Sequence, residues 1–238
     1  MSMLRNICYW LWGLLFPPCC EVCGEPIDLT KRGMCLNCRL NMPLTYYWLR
    51  ADNPTRQHIE DHVRVEQASS YILFTEGSPW RTLIHRFKYG GKWRLGYDIG
   101  KMYGMSLAES ALYRDVECVV PIPLHYRKRL HRGYNQSQYI ADGIAESMGI
   151  EVVADAIRRV RNNPSQALSR AQDRWENVEG IFRLTKPDKL RNRHILLVDD
   201  VLTTGATLVS CIAAIRKALP DCRISVATLA VSDKIIRR

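Results

Sequence analysis

The fold of this chain is decided by one stretch, Ile195-Leu196-Leu197-Val198-Asp199-Asp200-Val201-Leu202-Thr203-Thr204-Gly205-Ala206-Thr207-Leu208. Its continuous apolar run, from Ile195 to Val198, is typical of a strand covered on both faces. We expect this strand to end where the carboxylates of Asp199 and Asp200 begin. Open α/β sheets bind ligands at the carboxyl ends of their strands, so both aspartates are predicted at the active edge of the sheet.

The chemistry of this stretch suits a sugar phosphate. Ionised carboxylates accept hydrogen bonds from neighbouring hydroxyls, and the 2′,3′-diol of a ribose offers two such donors. The turn that follows presents hydroxyls and consecutive backbone N–H groups at the start of a predicted helix, which together can cradle a phosphate dianion. Glycine in this turn lets the backbone approach the ligand closely. The predicted cradle comprises Thr203, Thr204, Gly205, Ala206 and Thr207.

Two other interpretations of the stretch involve no sugar. A Val-Asp-Asp strand end also occurs in receiver domains that accept a phosphoryl group, and a Thr/Gly turn alone can be a helix cap. A receiver carries its acidic pair near the start of roughly a hundred residues. Here only thirty-eight residues follow Asp200. The position of the pair therefore favours the sugar-phosphate site.

The stretch resembles the phosphoribosyl-pyrophosphate (PRPP) motif of type I phosphoribosyltransferases. In that motif two acidic residues hold the ribose hydroxyls and a Thr-rich loop binds the 5′-phosphate. The resemblance implies an α/β fold with a mainly parallel sheet flanked by helices and a hood. It also implies PRPP bound together with Mg²⁺, which would bridge pyrophosphate oxygens and ribose hydroxyls. The positions that match are Asp199, Asp200, Thr203, Thr204, Gly205, Ala206 and Thr207.

Three further segments are similar to the ComF family of competence and DNA-utilisation proteins. Residues 119–125 resemble the strand and turn that contact pyrophosphate, which implies that Pro123 and Leu124 contact PRPP. Residues 132–136 read Arg-Gly-Tyr-Asn-Gln, close to the family signature Arg-Gly-Phe-Asn-Gln, and 166–182 are similar to the hood loop that closes over PRPP. The residues implied to steady the leaving pyrophosphate are Arg132, Arg170 and Arg174.

These segments also have plainer interpretations. The basic run 127–132 could be a solvated loop, the usual role of a charge run. Asn135 and Gln136 could cap the helix predicted to run to Met148.

Two functions follow from the resemblance. In the leading interpretation the protein binds PRPP and Mg²⁺ and takes part in single-stranded DNA uptake or utilisation, with a competence helicase or recombination loader as a partner. In the alternative it is a phosphoribosyltransferase unrelated to DNA, in which an amine or base attacks C1 of PRPP and expels pyrophosphate. We favour a catalytic role, although the sequence does not identify the acceptor. In either case Asp199 and Asp200 would orient the sugar.

Four cysteines near the N-terminus predict a structural zinc site. They form two Cys-x₂-Cys pairs that are eleven residues apart. Each pair lets two sulfurs reach one ion, and four protein ligands leave no open position for catalysis. Cys19 could replace Cys20 as a ligand, and disulfides are the other interpretation, although nothing else is typical of a secreted protein. The predicted ligands are Cys20, Cys23, Cys35 and Cys38.

The chain is basic, with 34 Lys and Arg against 24 Asp and Glu and a net charge of +10 in 238 residues. Such a surface attracts polyanions. A second basic run, near the predicted hood, contains Arg158, Arg159 and Arg161, and Tyr126 and Trp175 could offer faces on which bases stack. The family association favours single-stranded DNA as a partner; the alternative is that the charge serves only PRPP and solubility.

The chain divides into three predicted parts. Residues 1–50 form an N-terminal helix and a zinc module, 51–64 a polar connector, and 65–238 a phosphoribosyltransferase-like domain. The apolar run from Ile7 to Phe16 is about ten residues long, below the roughly twenty that a spanning helix needs. We therefore expect a cytoplasmic protein without stable membrane insertion, with peripheral membrane association as the alternative.

Alternating strand and helix patterns through to Ala230 predict a mainly parallel sheet. In one predicted helix, glycines recur at every fourth residue, at Gly96, Gly100 and Gly104. This spacing indicates that the helix packs closely against another element.

Overall fold

The structure is a computed structural model that describes residues 17–28, 33–89, 91–161 and 180–236. The run from Ile7 to Phe16 and the greater part of the predicted hood loop lie outside these residues. So do Arg170, Arg174 and Trp175, three of the residues singled out from the sequence.

A wholly parallel five-stranded sheet forms the centre of the fold, in the order β1-β7-β6-β2-β3. Strands β4 and β5 form a separate antiparallel pair. Parallel strands need crossover connections, and helices supply them here. The strands are β1 Ala68–Phe74, β2 Cys118–Pro121, β3 Glu151–Val152, β4 Ile157–Arg159, β5 Phe182–Leu184, β6 His194–Leu202 and β7 Arg223–Ser232.

Helices cover both faces of the sheet. The α-helices are α1 Leu36–Leu40, α2 Pro54–Glu60, α3 Pro79–Tyr89, α4 Trp93–Glu109, α5 Tyr126–Arg132, α6 Gln136–Met148, α7 Ala206–Ala218 and α8 Asp233–Ile236. Short 3₁₀ helices span Tyr47–Leu49, Ala111–Tyr113 and Pro187–Lys189.

The central strand β6 explains why the sheet needs cover on both sides. Its residues from Ile195 to Val198 are fully buried. Leu196 and Val198 face a core built with α3, α4 and α6. Ile195 and Leu197 face a second core built with α2, α7 and the β4–β5 pair. Alternate side chains of a strand point to opposite faces, so an unbroken apolar run fits only a strand that lies between two layers.

Helices α4 and α6 pack backbone against backbone, as the glycine spacing predicts. A Cβ atom on Gly100 would lie 2.5 Å from the carbonyl oxygen of Ile140, and one on Gly104 would lie 2.6 Å from that of Ile144. Gly96 serves a different neighbour, since a Cβ there would collide with the ring of Phe87. The close packing of the helix is therefore confirmed, and two of its three glycines make the contact with α6.

The N-terminal segment is joined to the sheet. The backbone N–H of Thr45 donates to Tyr71 and that of Leu73 donates to Pro43, so residues 43–45 lie along the outer edge of β1. Trp48 packs against Tyr71 with the ring centroids 5.3 Å apart. The metal-ligand candidates Cys20 and Cys38 belong to the same apolar core as α4.

Residues 51–64, expected to be a connector, contain α2. Thr55 and Ile59 of this helix are fully buried. The segment is thus packed against the sheet, and the boundaries proposed at residues 50 and 64 stay predictions. No helix in the described part of the chain has the length and apolar character needed to cross a bilayer.

Candidate functional site

Strand β6 carries both aspartates inside the strand. The expectation that the strand ends at Val198 is wrong, because β7 continues to pair with β6 as far as Leu202. On the other side of β6, the pairing with β2 stops where Pro121 meets Val198. In the described sheet, Asp199 and Asp200 therefore lie beyond the end of β2, at the carboxyl edge where α/β proteins bind ligands.

The carboxylate of Asp199 is held by two donors. The hydroxyl of Ser137, at the start of α6, donates to Asp199 Oδ1 at 3.0 Å, and the backbone N–H of Asp200 donates to the same oxygen at 2.9 Å. Ser137 is buried. Donors to an ionised carboxylate stabilise its charged form and fix its orientation. Sequence reasoning missed Ser137, because this residue lies 62 residues from Asp199 along the chain.

Arg159, at the end of β4, lies near Asp199. Burial lowers the pKa of this guanidinium, and the negative charge of Asp199 opposes that shift. The Arg159 Cζ atom also lies 5.5 Å from the centre of the Phe182 ring on β5. The β4–β5 pair thus brings a half-buried cation toward the acidic end of β6.

Residues 203–207, named here the threonine turn, lead from β6 into α7. Gly205 has φ +77°, a left-handed conformation that side chains disfavour, and it precedes the first helical residue, Ala206. The first N–H groups of a helix have no intrahelical acceptor and point outward along its axis. The predicted combination of hydroxyls, backbone N–H groups and a helix start is thus present next to the two aspartates.

A histidine that sequence reasoning missed contacts the backbone of the threonine turn. The Nε2 atom of His58, on α2, lies 3.2 Å from the carbonyl oxygen of Thr204. A Cβ atom on Gly205 would be 3.6 Å from the His58 ring. The two partners are 146 residues apart in the chain, and His58 lies in a segment interpreted as a polar connector, so no local pattern could have identified the contact.

A cavity of about 870 Å³ opens between the turn after β2, the start of α6 and the β4–β5 pair. Pro123 and Leu124 line it, and their contact with PRPP, implied by the family resemblance, stays a prediction. Its wall carries cationic and aromatic side chains, together with the carboxylate of Asp155, which pairs with Lys186. The cations are Arg129, Arg158, Arg159 and Lys186, and the aromatic side chains are Tyr126, Tyr134 and Tyr139. Such a wall suits an anionic ligand that also has a flat apolar face.

Arg132 is the last residue of α5, and its guanidinium donates to Gln136 Oε1 at 3.1 Å. Its role in steadying pyrophosphate stays a prediction. Asn135 occupies the N-cap position of α6 without a side-chain capping bond; its Nδ2 donates to the carbonyl oxygen of Ile122 at 3.0 Å. These polar residues of the 132–136 segment therefore join α5, α6 and the turn after β2. The capping role considered for the Asn135 side chain is wrong.

The four predicted cysteines come together near the N-terminus. The sulfur atoms of Cys20, Cys23, Cys35 and Cys38 all lie within 4.8 Å of one another, a group that could hold a metal ion. The Cys23 and Cys35 sulfurs are 3.8 Å apart, which is the edge of a tetrahedron with Zn–S bonds of about 2.3 Å. Cys19 is exposed and its thiol donates to the Pro17 carbonyl, so Cys20 is the member of the cluster.

The electrostatics of the cluster favour a thiolate at Cys20. Burial works against ionisation there, but the backbone N–H groups of Cys35, Cys23 and Val22 outweigh it and lower the pKa of Cys20 to about 6. The Cys35 N–H lies 3.3 Å from the Cys20 sulfur. Burial raises the pKa of Cys38, and the neighbouring thiols raise it further. Because metal ions bind thiolates, these crowded sulfurs are a chemically fitting ligand set.

Comparison with known proteins agrees with this geometry. Residues 135–238 match the family described as the phosphoribosyl transferase domain. The chain is 24% identical over 207 residues to Competence protein F of Haemophilus influenzae, which covers 83% of this chain and 90% of that protein. It is 26% identical over 209 residues to the DNA utilization protein YhgH of Salmonella typhimurium, covering 82% and 89%.

A third relative is Competence protein ComFC of Bacillus subtilis, 26% identical over 190 residues, with 79% of this chain and 68% of that protein covered. Among solved structures, glutamine PRPP amidotransferase from B. subtilis gives a TM-score of 0.41 at 18% identity. That match covers 61% of this chain and 30% of the solved one.

The parallel sheet, its acidic strand and the domain match define the class: a protein with the type I phosphoribosyltransferase fold. Within that superfamily, the chain is similar over most of its length to relatives named Competence protein F, Competence protein ComFC and DNA utilization protein YhgH.

Proposed function

We propose that this protein binds PRPP together with Mg²⁺ and acts in the handling of incoming single-stranded DNA. The observation that carries the proposal is the juxtaposition, at one edge of the sheet, of two adjacent carboxylates and a helix start behind a left-handed glycine. Asp199 and Asp200 would accept hydrogen bonds from the ribose diol. The threonine turn, Thr203, Thr204, Gly205, Ala206 and Thr207, would enclose the 5′-phosphate.

The cavity supports a pyrophosphate on the other side of the sugar. It is lined by Pro123 and Leu124 and by the guanidinium groups of Arg129, Arg158 and Arg159, while Lys186 in the same wall is ion-paired with Asp155. Guanidinium groups donate in pairs to phosphate oxygens, which suits the leaving group of PRPP. Arg132, Arg170 and Arg174 keep the role that the family resemblance implies, which is to steady the leaving pyrophosphate. The bond from Arg132 to Gln136 also fixes the segment between α5 and α6.

Carboxylate oxygens are the protein ligands that Mg²⁺ prefers, and Asp199 and Asp200 supply them. The ion, when bound, would neutralise negative charge on the pyrophosphate oxygens. Arg159, which lines the cavity and lies near Asp199, would balance the negative charge that grows on the pyrophosphate as the C1–O bond lengthens. A nitrogen nucleophile would form its bond to C1 from the side opposite the departing pyrophosphate, and its surplus proton would pass to water.

A direct test of PRPP binding is isothermal calorimetry with Mg²⁺, on the wild type and on Asp200→Asn. We expect a measurable affinity in the wild type and a loss of about tenfold or more in the variant, since it removes a charged acceptor of the ribose hydroxyls. Lys217→Gln, at the far end of α7, is the matched surface control. A wild type that gives no heat at millimolar PRPP contradicts the proposal.

Catalysis is a separate question, and pyrophosphate release answers it. We expect release from PRPP and Mg²⁺ in the presence of an amine or base acceptor, and its loss in Asp200→Asn. If PRPP binds but no acceptor from a broad panel yields pyrophosphate, the protein uses PRPP as a bound ligand only. That outcome selects the accessory role beside a helicase or recombination loader over the transferase.

Single-stranded DNA binding is supported by aromatic and basic side chains beside the cavity. The names of the relatives, which refer to competence and DNA utilization, also support it. Tyr126 is 59% exposed, with the Arg127 guanidinium 5.8 Å from its ring centre. Trp93 is also exposed and stacks on Tyr139, with the ring centroids 4.9 Å apart. Exposed aromatic faces next to cations are what bases and phosphates use on single-strand-binding surfaces.

The DNA proposal is tested by fluorescence anisotropy of a labelled oligonucleotide across salt concentrations. We expect the affinity to fall steeply as salt rises and Tyr126→Ala to weaken binding about 5-fold or more. Leu130→Ala is the matched control, because Leu130 is 80% exposed on the same helix and offers no stacking face. Equal losses in the two variants would argue against base stacking at Tyr126.

For the cysteine cluster we propose a structural zinc ion. Four thiolates fill a tetrahedral coordination sphere and leave no position for a substrate. Two of the four cysteines, Cys20 and Cys38, are buried in the apolar core that also contains α4, and Cys35 packs against it.

A further inference from the structure

The contact between α2 and the threonine turn has a defined polarity. The Thr204 carbonyl oxygen can only accept a hydrogen bond, so Nε2 of His58 carries the proton in the 3.2 Å contact. The imidazole is half-buried. A Cβ atom placed on Gly205 would lie 3.6 Å from Cδ2 and Nε2 of the ring, so the imidazole is the nearest neighbour on that side of the glycine. His58 contacts the turn through one directed hydrogen bond.

The helix that carries His58 is fixed to the sheet by buried polar bonds. The side chain of Asn53 caps α2 by accepting from the Arg56 N–H, and its Nδ2 donates to the carbonyl of Ala68 on β1 at 2.9 Å. The Thr55 hydroxyl lies 2.9 Å from that of Ser70, which in turn lies 2.6 Å from that of Thr228.

Thr228, at the end of this chain of hydroxyls, pairs with Asp199 across β7 and β6. The imidazole and the acidic residues are therefore positioned from the same part of the sheet. A helix tied down in this way can hold a loop in place, since buried and fully paired polar networks are rigid.

The bond to Thr204 sets the direction of the next backbone N–H. In a trans peptide the C=O and the N–H point in opposite directions. With the Thr204 carbonyl directed at α2, the Gly205 N–H points away from α2, which is the side that the proposed 5′-phosphate would occupy. The reverse orientation would present a carbonyl oxygen to that phosphate. Glycine tolerates both orientations, and the bond from His58 favours the observed one.

We propose that His58 is a positioning residue: it holds the peptide between Thr204 and Gly205 so that its N–H faces the 5′-phosphate of the ligand. This inference rests on the proposed binding of PRPP and adds the residue that orients the phosphate cradle. His58 does not touch the ligand itself. It acts through the backbone of the threonine turn.

The test compares His58→Leu, which has no donor, with His58→Gln, whose amide Nε2 reaches a similar position. Affinities for PRPP and for ribose 5-phosphate are measured by calorimetry with Mg²⁺. We expect His58→Leu to bind both ligands about 5- to 10-fold more weakly, the effect of one lost hydrogen bond, because both carry the 5′-phosphate. His58→Gln should recover most of the loss. Gln57→Ala, an exposed neighbour whose amide bonds to Asp52, is the control and should bind as the wild type does.

Each outcome has one meaning. Equal binding by wild type and His58→Leu overturns the inference and leaves the proposed function standing. A His58→Gln variant that binds as weakly as His58→Leu also overturns it. If His58 acts through its hydrogen bond, a restored donor should recover most of the affinity. A wild type that binds neither sugar phosphate overturns the proposed function and the inference together. Should His58→Leu unfold in circular dichroism, His58→Ala gives the same comparison with a smaller side chain.

Discussion

At the scale of single residues, the acidic end of β6 is organised before any ligand arrives. Asp199 Oδ1 already accepts from the Ser137 hydroxyl and the Asp200 N–H, so one face of the carboxylate is fixed. Pre-organised acceptors lower the cost of ordering side chains upon binding. Ser137 is therefore a supporting residue whose importance depends on its place in the fold.

Ser137→Ala tests this support. We expect the affinity for PRPP to fall about 3- to 10-fold and the free energy of unfolding to fall by about 1 kcal/mol, since one buried hydrogen bond is lost. Ser147→Ala is the matched control on the same helix: its hydroxyl donates to the Lys101 carbonyl at 2.9 Å, so it should cost stability without weakening PRPP binding. Calorimetry and urea denaturation give the two quantities. Equal affinity losses in both variants would contradict the role of Ser137.

At the scale of elements, the pair of helices α4 and α6 shows how backbone packing places a site. Gly100 and Gly104 let α4 approach α6 closely. Gly143 on α6 does the same from the other side, since a Cβ atom there would lie 2.2 Å from the carbonyl oxygen of Tyr97 on α4. Helix α6 begins with the residues that reach the site: Asn135 bonds to the turn after β2, and Ser137 bonds to Asp199. The close packing of α6 against α4 thus decides how near the first turn of α6 lies to the sheet.

Gly100→Ala should disturb the packing of α4 against α6. At an exposed helical position the same change stabilises a protein by about 1 kcal/mol. Here the added Cβ would lie 2.5 Å from the Ile140 carbonyl oxygen, so we expect a loss of about 1–3 kcal/mol in the free energy of unfolding. Met105→Ala, 49% exposed on the same helix, is the control and should change stability little. A Gly100→Ala variant as stable as the wild type in urea would mean that the helices can separate without cost.

At the scale of the whole molecule, the cysteine cluster and the sheet are parts of one packed body. Cys20, Cys38 and Trp48 share an apolar core with Tyr103 of α4. Glu21 adds ion pairs to Arg86 at 3.5 Å and Lys92 at 3.0 Å. These pairs are partly exposed, so they contribute little beyond orientation. The burial around the cysteines is the stronger link between the metal cluster and the stability of the sheet.

Cys35→Ser should therefore affect more than its immediate surroundings. We expect the variant to lose stoichiometric zinc and to melt at a lower temperature, because metal binding at such sites supplies folding free energy and the α4 face would lose its cover. Metal analysis and calorimetric melting give the two results. Cys19→Ser, next to the cluster with an exposed thiol, should keep both metal and melting temperature. Retention of one zinc per chain by Cys35→Ser would contradict the four-cysteine site.

The sequence by itself determined the features that local pattern and spacing encode. The apolar run before Asp199 predicts a strand between two layers, Gly205 predicts a turn, and the spaced cysteines predict one sulfur cluster; the structure contains each of these. Strand length was misjudged because pairing with β7, and not the polarity of Asp199 and Asp200, decides where β6 ends.

Only the tertiary structure decided which distant residues support the acidic strand and its turn. Ser137 reaches Asp199 from 62 residues away and His58 reaches Thr204 from 146 residues away. The antiparallel β4–β5 pair brings Arg159 near Asp199, and the Arg132 guanidinium donates a hydrogen bond to Gln136. Periodicity and spacing report how a segment folds and which face it buries. They carry no information about which of many similar polar side chains meets a given atom, because that depends on how separate helices and strands pack together.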